Sequence, residues 1–325
     1  MQVFRRDQSV IYNADVYEIY TSWDMPVVII SDGPYGISGF VGDSPVPEVL
    51  PEWYEPHIEA WSQKATPLTT LWFWNTEIGW TNVHPVLAKY GWQYVNCHIW
   101  NKGIGHIAGN SNTRTLRKFP VVTEVCVQYV KEARFKVGER YLTMKEWLRY
   151  EWERTGLPLY KANEACGVKN AATRKYLTKD YMWYYPPPEA FERMVAYANQ
   201  HGAPEGLPYF TIDGETPITS AQWQNMRSKF TCEVGVTNVW SEPPARGTER
   251  LKQKFKCVHL NQKPLKLFEL IIRVSSDEGD MVWEPFGGLC TGAVAAHKLG
   301  RRSLSAEINP EFYQLAVQRL ENLLQ

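Results

Sequence analysis

Three acidic residues stand at the ends of apolar runs, where a chain has the means to do chemistry. Asp32 follows Pro26 to Ile30, a β-branched run that breaks into Ser31-Asp32-Gly33-Pro34-Tyr35-Gly36. Glu284 follows Met281-Val282-Trp283 and opens Glu284-Pro285-Phe286-Gly287-Gly288, while Glu307 closes the run that starts at Ser303. A strand running into glycine and proline is a turn. A glycine turn after a strand lets a ligand approach the backbone, and the helix that follows offers free N–H groups to an anion. An acid at the end of the next strand suits the vicinal hydroxyls of a ribose. Glu307, 23 positions after Glu284, has that place. Taken alone, Gly287 and Gly288 also read as an ordinary tight turn, and Asp32-Gly33 as the close of a strand.

The elements around these residues set the fold class. Apolar runs at Leu68 to Trp74 and Tyr94 to Trp100 enclose a helical segment, Trp80 to Tyr90, and this strand–helix–strand alternation favours a parallel α/β sheet. Near the C-terminus, Pro264 to Val274 is apolar at helical spacing and Met281 to Trp283 is a strand. Thr291 to Leu299 reads as a helix, Ser303 to Ile308 as a strand, and Pro310 to Leu324 as a helix capped by Asn309. In such open sheets ligands bind at the carboxyl ends of the strands. Between Leu142 and about Gly202 the texture changes to charged, aromatic-rich helices. Trp147, Leu148, Glu151 and Trp152 share one face of the first. Tyr160 to Cys166, ended by Gly167, and Asn170 to Leu177 outline a helix-turn-helix, a pattern any helical hairpin shares.

Composition narrows the class further. The 325 residues are 44% hydrophobic, enough for a globular protein. No apolar run approaches the roughly 20 residues of a membrane span, and the start lacks a signal peptide, so a cytoplasmic protein with no membrane partner is expected. Six scattered cysteines show no metal-ligand spacing, so reduced thiols and no metal are expected. Net charge is zero, yet residues 101–180 hold 16 Lys and Arg against 8 Asp and Glu, a net of +8 balanced by −8 elsewhere. That asymmetry suggests one basic face.

Two blocks together resemble the beta-group DNA amino-methyltransferases, the restriction-modification type specific for adenine N6 or cytosine N4. His259-Leu260-Asn261-Gln262-Lys263-Pro264, then Glu284-Pro285-Phe286-Gly287-Gly288, then Ala306-Glu307-Ile308-Asn309-Pro310-Glu311-Phe312 are similar to the family's H-x-x-Q-K-P, D-P-F-x-G-x-G-T and E-I-N-P-E-Y. Ser31 to Tyr35 looks like its D-P-P-Y. The resemblance implies a Rossmann-like S-adenosylmethionine-dependent fold with a mostly parallel sheet, circularly permuted motif order and a helical DNA-recognition insertion. On it the chain divides into 1–131, a catalytic half; 132–254, a target-recognition region; and 255–325, a cofactor half. It implies S-adenosylmethionine contacts at Asp15, Lys263, Glu284, Pro285, Phe286, Gly288, Glu307 and Asn309. Three positions depart from the pattern: Glu284 replaces Asp, Cys290 replaces the second glycine of G-x-G, and Gly33 replaces the first proline.

The chemistry the resemblance implies explains the residue types. An exocyclic amine is a poor nucleophile because its lone pair is delocalised into the ring. The Asp32 carboxylate and the Gly33 carbonyl accept its two N–H bonds, aiming the lone pair at the methyl sulfonium. Pro34 fixes the turn, and Tyr35 offers a ring to a base rotated out of the duplex. Double-stranded DNA is the expected partner, clamped through phosphates by Lys102 to Lys118, with Arg114, Arg117 and Lys118 foremost. Lys169, Asn170, Thr173 and Arg174 of the second short helix are expected to face the groove. A second copy of the chain and a cognate endonuclease are further partners the sequence leaves open. Asp at the head of the motif favours adenine N6 over cytosine N4, whose enzymes more often use Ser. A nicotinamide oxidoreductase lacks its G-x-G-x-x-G here. A non-catalytic DNA-binding regulator does not account for an intact Asp32, Pro34, Tyr35, Gly288 and Glu307.

Overall fold

The computed structural model describes residues 1–38, 43, 46–106, 117–181, 183–246, 250, 252–253, 256–257 and 262–323. Arg114 and His259 to Asn261 lie outside the described residues. By its contacts the chain forms two units, Met1–Lys131 with Ser228–Gln325, and Glu132–Arg227. No helix among the described residues is long and apolar enough to cross a membrane.

The first unit is built on a nine-stranded mixed sheet. From edge to edge it runs Gln2–Arg6, Ser9–Asn13, Arg302–Glu307, Met281–Glu284, Val28–Ser31, Thr70–Asn75, Thr123–Val130, Gln93–Asn101 and Val239–Trp240. The five strands from Ser9–Asn13 to Thr70–Asn75 are parallel, and Thr123–Val130 then enters antiparallel. Chain order and sheet order disagree: the C-terminal strands lie between N-terminal ones, as the permuted motif order requires.

The central strands Val28–Ser31, Thr70–Asn75 and Met281–Glu284 are buried along their length because helices cover both faces. Alternate residues divide between the two sides, following the period-2 geometry of a strand. Ile29, Leu71, Phe73 and Trp283 join Tyr54, Ile58 and Trp61 of the helix Leu50–Lys64. Val28, Ile30, Trp72, Trp74 and Val282 join Leu267, Phe268 and Ile271 of the helix Leu265–Ser275. The helices Thr291–Lys298 and Pro310–Leu323 follow their strands as expected, and the Asn309 carboxamide accepts from Glu311 N at 2.8 Å to cap the second.

The second unit carries its own core around Trp147, Trp152, Phe191, Phe210 and Trp223. Thr143 and Glu146 form a capping box that starts the helix Met144–Arg154. Glu151 lies on the buried face of that helix, with its carboxylate accepting from Phe210 N at 2.6 Å and from Arg154 at 2.6 Å. The acid in the apolar stripe is thus paired through one carboxylate oxygen. The helix-turn-helix outline is only half realised. Lys161–Cys166 ends at Gly167, whose φ of +67° makes the left-handed cap, but the second helix shrinks to one π-helical turn, Ala172–Tyr176.

Candidate active site

The parallel strands deliver the expected residues to one edge. Asp15 follows Ser9–Asn13, Glu307 ends the next strand, Glu284 ends the third with Pro285 to Gly288 after it, and Asp32 to Tyr35 follow the fourth. All four sit at carboxyl ends, where side chains and unpaired backbone meet a ligand.

The acid that opens the glycine turn serves the fold. Glu284 is buried and accepts from Gly292 N at 2.7 Å, Ala293 N at 3.0 Å and Ser305 Oγ at 3.0 Å. It therefore caps the helix Thr291–Lys298 from the preceding strand, where Cys290, the N-cap itself, makes no side-chain cap bond. Three protein donors thus engage the carboxylate that the resemblance placed at the cofactor. Cys290 takes a left-handed φ of +49° and turns its side chain into the core with Ile11, Val294 and Tyr313. Burial pushes its thiol up, and its sulfur fills the space that a Cβ at Gly287 would need, 2.7 Å away.

Glu307 is placed differently. One oxygen accepts from Gly288 N at 2.6 Å and the other from Asn309 N at 2.7 Å. A carboxylate has about two acceptor sites per oxygen, so each keeps one for a ligand. Burial pushes this carboxyl up, against those two bonds. Asn309 acts through its backbone, its side chain being spent on the helix cap. Pro285 is buried, whereas Phe286 is half-buried, its ring 5.1 Å from Trp53 and 5.0 Å from His57. The Tyr20 hydroxyl accepts from Trp61 Nε1 at 2.9 Å and lies 3.1 Å from His57 Nδ1. Burial lowers His57 to about 4, keeping it neutral. Asp15 is exposed and its carboxylate accepts from Tyr17 N at 3.0 Å.

Gly33, the departure from D-P-P-Y, has a steric cause. A Cβ there would lie 2.6 Å from the Tyr54 hydroxyl and 2.8 Å from Phe286 Cδ2. The aromatic floor leaves no room for a proline ring. Tyr54 instead donates to the Pro34 carbonyl at 3.1 Å, as Asn75 Nδ2 does at 3.0 Å, while Asp43 accepts from the N–H groups of Tyr35 and Gly36 at 2.8 Å each.

Asp32 is held from one side only. Its Oδ1 accepts from the Tyr35 hydroxyl at 2.8 Å and from the Lys263 ammonium at 2.8 Å. Among the described residues nothing donates to its Oδ2 or to the Gly33 carbonyl. Two adjacent acceptors are thus free while their neighbours are tied. The Lys263 ammonium, expected at the cofactor, lies instead between Asp32 and Glu124, 3.3 Å from Glu124 Oε2. Tyr35 also differs from expectation: it is 8% exposed, with Lys263 Nζ 5.0 Å from its ring centre. In this arrangement its hydroxyl, rather than an open ring face, meets the site.

Arg117 and Lys118 are exposed in the first unit. In the second, Lys169, Asn170 and Arg174 are exposed, but Thr173 packs inward, its backbone N–H donating to Asn163 Oδ1 at 3.1 Å and its hydroxyl 3.2 Å from Asn163 Nδ2. Thr173 therefore joins the two short helices rather than facing outward. Sequence reading missed Glu124, His57 and Asn75. An acid in the otherwise apolar run Thr123 to Val130 was the available signal for Glu124.

A family model described as DNA methylase matches residues 27–318. The type II methyltransferase M2.DpnII of Streptococcus pneumoniae is 37% identical over 84 residues, 26% of this chain and 30% of that protein. The DNA adenine methyltransferase YhdJ of Escherichia coli K12 is 37% identical over 84 residues, 26% of this chain and 27% of that one. The matched part spans under a third of either relative. The structure of PvuII DNA methyltransferase, cytosine-N4-specific, covers 96% of this chain and 86% of its own at a TM-score of 0.55 and 11% identity, a likeness of fold. With the match running across both halves of the sheet unit, the chain belongs to the DNA methylase family of N6 and N4 amino-methyltransferases.

Proposed function

We propose that this protein methylates adenine N6 in duplex DNA, taking the base out of the stack to do so. The observation that carries the reading is the pair of free acceptors, Asp32 Oδ2 and the Gly33 carbonyl, beside an anchored Oδ1. An exocyclic amine presents two N–H groups, and two fixed acceptors match them. Accepting both turns the nitrogen lone pair out of conjugation and towards the methyl donor. The charge that develops on nitrogen meets the Asp32 carboxylate, so the contact strengthens in the transition state.

The family's cofactor is S-adenosylmethionine, which supplies an electrophilic methyl when bound. The residues here fit it. Glu307 keeps one acceptor site on each oxygen for two vicinal hydroxyls, Gly288 brings backbone close, and Phe286, Trp53 and His57 make an aromatic wall suited to a purine. Glu307→Ala is expected to weaken S-adenosylmethionine binding by about 1 to 3 kcal/mol, the scale of lost charge-assisted bonds. Unchanged affinity in titration calorimetry would remove Glu307 from the ribose site.

Arg117 and Lys118 are free to take phosphates, and Lys169, Asn170 and Arg174 of the second unit to take base edges. Adenine is favoured over cytosine by Asp rather than Ser at the head of the motif. The relative named as a DNA adenine methyltransferase supports the same choice. The test is transfer of labelled methyl to duplex DNA, then nucleoside analysis. N6-methyladenine is expected; N4-methylcytosine would keep the mechanism and overturn the base.

A further inference from the structure

Below Asp32 lies a polar cluster sealed from solvent. Lys263 is 3% exposed and Glu124 9%. Glu124 is the second residue of the antiparallel strand Thr123–Val130, which enters the sheet at the edge where the parallel strands end. Its Oε2 lies 3.3 Å from Lys263 Nζ and 3.2 Å from the Tyr35 hydroxyl, while its Oε1 pairs with Lys102 at 2.5 Å. Two carboxylates and two ammonium groups therefore cancel, with one hydroxyl between them. Burial pushes the Glu124 carboxyl up, but Lys263 and Lys102 hold it below the ordinary range. Burial likewise lowers Lys263, and Asp32 with Glu124 more than restore it. Both groups are charged at working pH.

We propose that Glu124 is a positioning residue for Asp32, holding the Lys263 ammonium so that it joins the Tyr35 hydroxyl on Oδ1 and leaves Oδ2 open to the amine. This rests on the reading of Asp32 as the amine acceptor. A buried ammonium needs full compensation. With Glu124 neutral, Lys263 has Asp32 as its sole counter-charge in the cluster and closes on both carboxylate oxygens, competing with the substrate. The effect on rate is one of orientation, where an ångström of misplacement costs on the order of a hundredfold.

The experiment is single-turnover methyl transfer by Glu124→Gln, with S-adenosylmethionine and duplex affinities measured beside it. The rate is expected to fall roughly ten- to a hundredfold with both affinities within about twofold of wild type. Glu124→Asp, which keeps the charge on a shorter arm, is expected to recover part of that loss. It also stands in if the Gln variant does not fold, in which case a severalfold loss of rate at unchanged affinities is expected. A double-mutant cycle separates positioning from general damage: added to Asp32→Ala, Glu124→Asp, which leaves Lys263 a counter-charge, should cost less than about twofold more, because it acts through Asp32. Wild-type rates in both Glu124 variants, a loss confined to affinity, or full additivity with Asp32→Ala would each overturn the proposal. If Asp32→Ala itself keeps wild-type rates, the functional reading falls first.

Discussion

Asp32→Ala is expected to cut single-turnover methyl transfer by at least about a hundredfold, the scale of removing one preorganised electrostatic contact. The geometry makes this a test of chemistry rather than of folding. Asp32 is only partly buried, and its partner Lys263 retains Glu124 at 3.3 Å when the Asp32 carboxylate is gone. Lys263 then shares Glu124 with Lys102, so the cluster keeps one carboxylate for two ammonium groups. The variant should therefore stay folded with a lowered unfolding midpoint, and bind S-adenosylmethionine with wild-type affinity. Rapid-quench assays with enzyme in excess over labelled duplex measure the step directly. A variant that transfers methyl at the wild-type rate would show that Asp32 Oδ2 is not the amine's acceptor, whatever the fold.

Much of this site was legible as spacing, because strand ends are legible. Val28–Ser31, Thr70–Asn75 and Met281–Glu284 are short apolar runs bounded by turn formers, and each proved buried along its length. The helix Leu50–Lys64 was hidden by Pro56, which interrupts the helical pattern that its buried Tyr54, Ile58 and Trp61 otherwise make. Reach is harder to read than position. Motif resemblance placed Lys263 with the cofactor, yet a four-carbon stem carries its ammonium to Asp32, more than two hundred residues away. For the same reason Tyr35 read as a ring, since nothing in a sequence says that its hydroxyl has a carboxylate at 2.8 Å. Gly33 could be noted as a departure from the family but not explained, because its cause lies in Tyr54 and Phe286, distant in sequence and adjacent in space.

Glu284 gives the second large effect, on stability. Its carboxylate satisfies Gly292 N, Ala293 N and the Ser305 hydroxyl in the interior, and Glu284→Ala strands all three. The expected loss is about 3 to 5 kcal/mol, from unpaired buried donors and the cavity left behind. The charge itself adds a pH signature. Burial raises this carboxyl from 4.5 to about 7 in the folded protein, although its three donors pull the other way. Between those values the native state holds a proton that the unfolded chain has released, so this contribution is whole below about pH 4.5 and is lost as the pH rises through about 7. From pH 5 to pH 8 the loss amounts to roughly 2 to 3 kcal/mol. Glu284→Gln removes the titration while keeping one acceptor. Urea unfolding of both proteins at the two pH values isolates the term, since every other group titrates alike in each. The stability difference between wild type and Gln variant should therefore shrink towards pH 8. A constant difference would deny the shift, and a variant of wild-type stability that binds S-adenosylmethionine weakly would return Glu284 to the ligand site.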